Sequence, residues 1–392
     1  RDMAEAAISN VATRPEDVGI DGGKLEQLFK RVERDVAEGL LPSAQVAIAR
    51  HGRLAGFRTF GRAVQGGQEQ TATNETLYMI YSATKGIVGA AVWTLFEDGL
   101  LRLDEKVSEI IPEFGTNDKE RITVEQTMLH IGGFPMAPFR AEDWDDRERR
   151  LQRFSQWRLN WEPGSQFQYH ATAAHWVMAE IIERRTGKDF REYVRERMIR
   201  PAGVTDLYVG LPEEMNSRVA EVVYVTPPIA PEGGFGEVTP DAVLNFNKPE
   251  IRKIGVPGGG AAATAAGIAL FYQPLVNGGL AGDGTRVMQQ ETIEMATTPR
   301  TTDIHVDPLL RYPVNRALAV VVAGDDEHRE QRGFSIDASP RAFGHRGAGG
   351  QIAWGDPETG FSIGYCTNGF RSVEDIYNRN REISKLATDC LI

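Results

Sequence analysis

The chain has 392 residues, 41% of them apolar, enough to bury a large core, which sets aside a disordered polymer. Its 44 Lys and Arg against 55 Asp and Glu leave a formal net charge of −11, which argues against broad attraction to nucleic acid or an anionic membrane. Cys366 and Cys390 are too few for a disulfide framework or a cysteine-built zinc site, so two free thiols are expected, Cys390 beside a mobile terminus.

From Arg1 to Pro15 no basic segment leads into an apolar run, and no stretch approaches the ~18 apolar residues of a membrane span. A cytoplasmic protein is expected, although a leader already removed would leave the same start. A charged helical pattern from Asp21 to Gly39 precedes two β-compatible runs, Ser43 to Arg50 and Leu54 to Phe60, separated by the turn signal His51-Gly52. These predict a hairpin that starts an antiparallel sheet. From Ala83 to Asp98 the apolar residues Ile87, Val88, Ala91, Val92, Leu95 and Phe96 recur at helical spacing, so Ser82 is expected to open a helix buried along one face. A second helical pattern runs from Val124 to Leu129, and the two-signed charge of Arg140 to Arg153 reads as a solvated helical face.

The turn Trp161-Glu162-Pro163-Gly164-Ser165 leads to a helix from His170 to Arg185, placing Tyr169 where a loop enters that helix. Thr226 to Gly236 has no periodicity and reads as a long surface connection bordering a cleft. A helix follows over Ala265 to Leu275, then β-like runs over Ala317 to Ala323, Gln351 to Trp354 and Phe361 to Cys366, and a last helix from Val373 to Leu386. Strands at both ends with helices between predict a sheet assembled from the two ends of the chain.

Chemistry concentrates in three places. Ser82-Ala83-Thr84-Lys85 puts a hydroxyl and an amine three residues apart on one side of a helix start, where a lysine in a dry site can give up its proton and let serine attack a carbonyl. Ser-x-x-Lys alone is a weak signal. Phe167-Gln168-Tyr169-His170 adds a phenol able to shuttle a proton, and Gly344-His345-Arg346-Gly347-Ala348-Gly349-Gly350 is a glycine-rich strand edge that lets a backbone amide approach substrate.

With these three elements, and with Leu101-Arg102-Leu103-Asp104-Glu105-Lys106-Val107, Met128-Leu129-His130-Ile131-Gly132-Gly133, Glu162-Pro163-Gly164 and Pro257-Gly258-Gly259-Gly260 in order between and around them, the chain resembles the serine β-lactamase and penicillin-binding-protein superfamily. It is most similar to class C β-lactamases and family VIII carboxylesterases. The resemblance implies an α/β (α+β) fold: an antiparallel sheet flanked by helices plus a mostly helical domain, here residues 1–110 with 245–392 and residues 111–244, with the site between them. It also implies that Ser82 is acylated, that Lys85 and Tyr169 manage the protons, and that the amides of Ser82 and Ala348 form the oxyanion hole. No cofactor is implied.

Two departures bear on substrate. Where lactam- and peptide-handling relatives carry Tyr-Ala-Asn or Tyr-Ser-Asn, this chain has Tyr169-His170-Ala171, and where β-lactamases carry Lys-Thr-Gly it has His345-Arg346-Gly347. Both changes weaken recognition of an anionic amide, so the expected substrate is a small-molecule ester of a small or medium acyl group, with His170, His345, Arg346 and Gly347 as substrate contacts. The alternatives are a β-lactamase, D-amino-acid peptidase or acyltransferase using the same site, and a penicillin-binding or sensing protein acylated without turnover. Other residues carry plainer readings. His130 is expected to hold a loop through a backbone hydrogen bond, and His345 is equally compatible with lining the site or anchoring its strand. His170 and His175, five apart, do not share a helix face as metal ligands would. Gly258-Gly259-Gly260 is a tight turn beside the site, and Trp144, Trp157, Trp161 and Trp354 are core. No membrane or nucleic-acid partner is expected, and the sequence sets no oligomeric state.

Overall fold

A computed structural model describes residues 10–232, 234 and 236–392. Part of the Arg1 to Pro15 reading, and Gly233 and Phe235 of the long connection, lie outside the described residues. The predicted hairpin forms: β1 (Ser43–Arg50) pairs antiparallel with β2 (Arg53–Gln65), and β3 (Gln68–Thr71) extends it. His51 and Gly52 turn the chain with φ of 51° and 86°, both left-handed, as a two-residue hairpin with the right twist requires.

The main sheet has seven strands in the order β3-β2-β1-β10-β9-β8-β7, its second half coming from β7 (Val321–Val322), β8 (Phe343–Gly344), β9 (Ile352–Asp356) and β10 (Phe361–Thr367). Both ends of the chain meet at the β1–β10 ladder, where Val46 faces Tyr365 and Ile48 faces Ile363. The strand alternation decides what covers each face. Along β10 the large residues Phe361, Ile363 and Tyr365 join a buried layer with Leu25, Leu28 and Phe29 of helix α1 (Gly22–Ala37). Ser362, Gly364 and Cys366 point the other way, toward helix α4 (Ala265–Val276), with the hydroxyl of Ser362 bonded to the Ala269 carbonyl at 2.7 Å. A Cβ on Gly364 would lie 2.2 Å from the Ala265 carbonyl oxygen, so small residues on this face are what let α4 approach.

The last helix, α5 (Val373–Asp389), packs against α1 and closes the first layer. Cys366 and Cys390 are free thiols, and both are buried. The expectation of a mobile end at Cys390 is corrected: the Cys390 carbonyl accepts from the Asp21 amide at 2.8 Å, and the Ile392 amide donates to Gly19 at 3.0 Å.

Helices α2 (Thr84–Glu97) and α3 (Ala173–Thr186) form the centre of the second layer. Each is more deeply placed than its pattern suggested. Every residue from Thr84 to Leu95 is buried, as is every residue from Ala173 to Ile182, so α2 is surrounded on all sides rather than covered on one face. The charged stretch forms a helix over Arg147–Gln156 with Phe154 buried, and Asp143 just ahead of it is buried as well, paired with Arg153 at 2.9 Å. Ala317 to Ala323 is not a strand over its length. Only Val321–Val322 pairs, because Ala319 takes φ 65° and folds back so that its amide reaches the Met128 carbonyl at 3.0 Å.

A small three-stranded sheet, β4 (Tyr78–Met79), β6 (Ala261–Ala263) and β5 (Leu207–Val209) in the order β4-β6-β5, delivers the chain to Ser82. Gln351 ties it to the main sheet. This fully buried amide donates to the carbonyls of Met79 (2.8 Å) and Thr367 (2.9 Å) and accepts from the Thr367 amide at 2.9 Å. Gln351→Leu would strand three buried backbone groups, and an urea-unfolding series is expected to show a loss of about 2–3 kcal/mol.

Candidate active site

Ser82 is the middle residue of a single 3₁₀ turn, Tyr81–Ala83, that runs into α2. Tyr81 makes the corner with φ 49°, a left-handed conformation that costs a non-glycine residue on the order of 1–2 kcal/mol. Its surroundings hold it there. The ring packs edge-on against Phe246 and Phe370 at 5.5 and 5.6 Å, and its hydroxyl donates to the Val243 carbonyl at 3.1 Å. The corner leaves Ser82 half-exposed in a chain that is buried on both sides of it.

Lys85 lies in the first turn of α2 and has no solvent exposure. Its Nζ is 3.2 Å from Ser82 Oγ and donates to the Gly258 carbonyl at 2.5 Å. Burial lowers the proton affinity of this amine below that of a free lysine, with the Tyr169 oxygen opposing the shift. Gly258 belongs to the glycine turn expected beside the site, and a Cβ there would sit 3.3 Å from Lys85 Nζ and 3.0 Å from the Ala171 carbonyl oxygen. Tyr169 lies in the extended segment ahead of α3, and its hydroxyl is 2.8 Å from Ser82 Oγ. Hydroxyl, amine and phenol therefore meet at one oxygen.

The third element passes beside them. Gly347 runs so close to the nucleophile turn that a Cβ would lie 2.1 Å from the Ile80 carbonyl oxygen. Ser82 sits one residue before the first amide used by its 3₁₀ turn, Ala83 to Ile80 at 3.1 Å, so its own N–H is left over. Among the described residues the Ala348 amide likewise meets no backbone carbonyl, and both residues line the same cavity. Two N–H groups not spent on backbone, on residues lining one cavity, are available to a developing oxyanion. The cavity has a volume of about 970 Å³ and is lined by Ser82, Tyr169, His345 and Arg346 together with the apolar Leu309, Leu310, Val373, Ile376 and Tyr377.

The histidines divide. His345 lines the cavity, its ring stacked on Tyr169 at 5.9 Å. His170 does not: expected to touch substrate, it is fully buried, accepts from the Phe134 amide at Nε2 (3.0 Å) and bonds the Gln168 carbonyl through Nδ1 (2.5 Å). With both nitrogens used for backbone it orders the loop that carries Tyr169, and burial pushes it down to about 3, so it stays neutral. His130 holds that loop as expected, accepting from the His170 amide at 3.0 Å. Trp157 and Trp354 are buried, and Trp354 also contributes to the cavity wall.

Two contributors escaped the motifs, Gln351 and Arg316, while the Gly258 carbonyl lies in the expected glycine turn but was not read as a partner of Lys85. Arg316 is buried, and its guanidinium carbon lies 5.2 Å from the centre of the Tyr169 ring. Nothing in its local sequence marks it, since it stands just ahead of the run Ala317 to Ala323, which reads only as β-like.

The family model described as Beta-lactamase matches residues 28–388. The Mycobacterium tuberculosis protein described as "Esterase/beta-lactamase LipL" is 29% identical over 313 residues, covering 74% of this chain and 68% of that protein. Among solved structures, a penicillin-binding protein homolog from Caulobacter crescentus superposes with a TM-score of 0.79 at 26% identity, over 95% of this chain and 99% of that one. A family VIII carboxylesterase does so with a TM-score of 0.77 at 25% identity, over the same 95% and 99%.

Two predictions follow from the geometry at Ser82. Gly347→Ala is expected to push the strand off the Ile80 carbonyl and lower kcat/KM on an activated ester by about 10²-fold with the circular dichroism spectrum unchanged. Lys85→Met removes a buried amine and should raise stability near neutral pH by about 1 kcal/mol while removing acylation. The folded protein holds the Lys85 proton less readily than the unfolded chain, so wild-type stability rises with pH up to the free-lysine value of about 10.4. The advantage of the methionine variant should therefore shrink over that range in melts at stepped pH.

Proposed function

The chain belongs to the beta-lactamase family, and from that premise we propose that it is a serine carboxylesterase acting on small to medium acyl esters. The observation that carries the reading is the convergence of Lys85 Nζ (3.2 Å) and the Tyr169 hydroxyl (2.8 Å) on Ser82 Oγ. In the proposed reaction the neutral Lys85 amine takes the Ser82 proton as Oγ bonds to the ester carbonyl carbon. The carbonyl electron pair moves onto oxygen, facing the Ser82 and Ala348 amides. As the tetrahedral intermediate collapses, Tyr169 gives its proton to the departing alcohol oxygen and is reprotonated from Lys85. A water then enters by the same route, giving its proton to the amine, adding to the acyl carbon, and releasing acid and Ser82.

Ester over amide rests on three supports. Ala171 offers a methyl where an amide-handling site would carry a side-chain amide, and no other group stands in for it in the second motif. Leu309, Leu310, Val373, Ile376 and Tyr377 give the cavity apolar lining, which suits an apolar acyl or alcohol group. The similar proteins named above include a carboxylesterase and one whose description begins with esterase. That same description also says beta-lactamase, and Arg346, exposed at the cavity mouth, offers a charge for an anionic amide, so nitrocefin is the competing substrate.

On p-nitrophenyl butyrate, Ser82→Ala is expected to lose about 10⁴-fold or more in kcat, and Tyr169→Phe about 10²–10⁴-fold. Wild-type kcat/KM on the ester should exceed that on nitrocefin. Retained turnover by Ser82→Ala would sink the nucleophile assignment, and the reverse substrate order would sink the ester preference.

A further inference from the structure

The acyl-transfer scheme leaves one charged group of the site without a task. Arg316 is 9% exposed, and among the described residues it forms no ion pair with a carboxylate, an unusual state for a buried charge. Its guanidinium lies against the rings of Tyr169 and Phe167, 5.2 and 5.3 Å from their centres. Its one side-chain hydrogen bond among the described residues goes to His345 Nε2 at 3.4 Å. His345 gives its single ring proton, on Nδ1, to the Arg346 carbonyl at 2.8 Å, which leaves Nε2 as the acceptor that Arg316 needs.

The groups around Tyr169 sort by charge. Lys85 Nζ stands 4.9 Å from its ring centre, and Arg316 brings the one fixed positive charge. His130 at 4.9 Å and His345 at 5.9 Å are held neutral by burial and by the neighbouring Arg316 charge. Ser82 is the remaining polar contact. Beyond these, Glu237 acts on Lys85, while Asp307, Arg346 and Tyr312 act on Arg316 from the cavity side. Among the described residues neither Lys85 nor Arg316 pairs directly with a carboxylate, the amine bonding to Ser82 and Gly258 and the guanidinium to His345.

We propose that Arg316 is a positioning residue for the acyl transfer. It fixes the Tyr169 ring over Ser82 and supplies, from outside all three motifs, the positive charge that neutral His345 does not bring to the third. When the Tyr169 O–H bond breaks and its proton passes to the leaving alcohol, the electron pair stays on the phenol oxygen. Lys85, protonated at that moment, and Arg316, always protonated, face the charge together until the Lys85 proton restores the phenol. His345 acts one step further out, as the neutral acceptor that aims the guanidinium. This rests on the Ser82 acyl-transfer reading, and its test is arranged so that the two fail separately.

Arg316→Gln, Arg316→Met and Arg316→Lys would be compared with wild type in two assays from mildly acidic to alkaline pH, with melting temperatures in parallel. One is p-nitrophenyl acetate hydrolysis; the other is the rate at which a fluorophosphonate labels Ser82, read by intact mass. The neutral variants are expected to lose about 10²-fold in kcat, with KM within about threefold, and the acid limb of kcat/KM should move to higher pH. Labelling should show the same displacement, and Arg316→Lys should recover at least about tenfold of the loss. Neutral variants within about threefold of wild type, with an unmoved limb, would overturn the proposal. So would a lysine variant no faster than a neutral one of equal melting temperature, because the role would then be one of shape. A wild type that labels at Ser82 but hydrolyses no ester removes the ester reading and leaves the labelling profiles to decide the role of Arg316. One that neither labels nor hydrolyses removes both.

Discussion

An amine kept out of water three residues after a serine is the constraint around which this molecule is arranged. A lysine at the surface holds its proton and has no use as a base; one inside protein gives it up more readily, at a cost to folding. Lys85 is inside because α2 is inside, enclosed from Thr84 to Leu95 by α3, by the glycine turn at Gly258 and by the residues that lead into β7. The two hydrophobic layers on either side of the main sheet do more than provide stability. The second carries the desolvation that lowers the proton affinity of Lys85.

Desolvation alone would leave the amine pointing nowhere, and close approaches of backbone supply the direction. Gly347 against the Ile80 carbonyl, Gly258 against Lys85 Nζ and Gly364 against α4 are all positions where a methyl group would force parts of the site away from one another. Tyr81 adds stored strain at the corner, held by Phe246, Phe370 and the Val243 carbonyl. Gln351 then fastens the approach to this corner to the main sheet through the Met79 and Thr367 carbonyls.

Much of this was legible from residue order. The hairpin, the strands at both ends of the chain, the helix opened by Ser82 and the meeting of Lys85 and Tyr169 at one oxygen follow from local periodicity and from motifs whose chemistry requires them to converge. What periodicity missed was depth. An Ala- and Gly-rich helix such as α2 shows its strongest apolar stripe but not that its remaining faces are also covered, because Gly86, Gly89 and Ala90 read as neutral until a neighbour such as Ala319 lies on them. The segment around Ala319 was overread as strand for a related reason: its apolar residues are buried by a fold-back onto Met128 rather than by pairing. His170 was misplaced because adjacency to Tyr169 in sequence says nothing about which side of the chain its ring takes. Arg316 was invisible, being a single cation whose partner is an aromatic face remote in sequence.

The choice of imidazoles as the polar filling of the site follows from the same electrostatics. The loop carrying Tyr169 and the start of α2 present backbone groups that need partners, and His130, His170 and His175 meet them at the His170 and Phe134 amides and the Lys85 carbonyl. Carboxylates or ammonium groups would satisfy the same backbone. A carboxylate beside Lys85, however, would hold the proton on its amine, and a further ammonium would oppose any positive charge on it. Buried imidazole adds neither charge, since desolvation keeps all three rings neutral. The site can therefore be ordered by side-chain hydrogen bonds without adding charge beside the Lys85 amine, whose proton affinity is left to burial, Tyr169 and the one fixed cation against them.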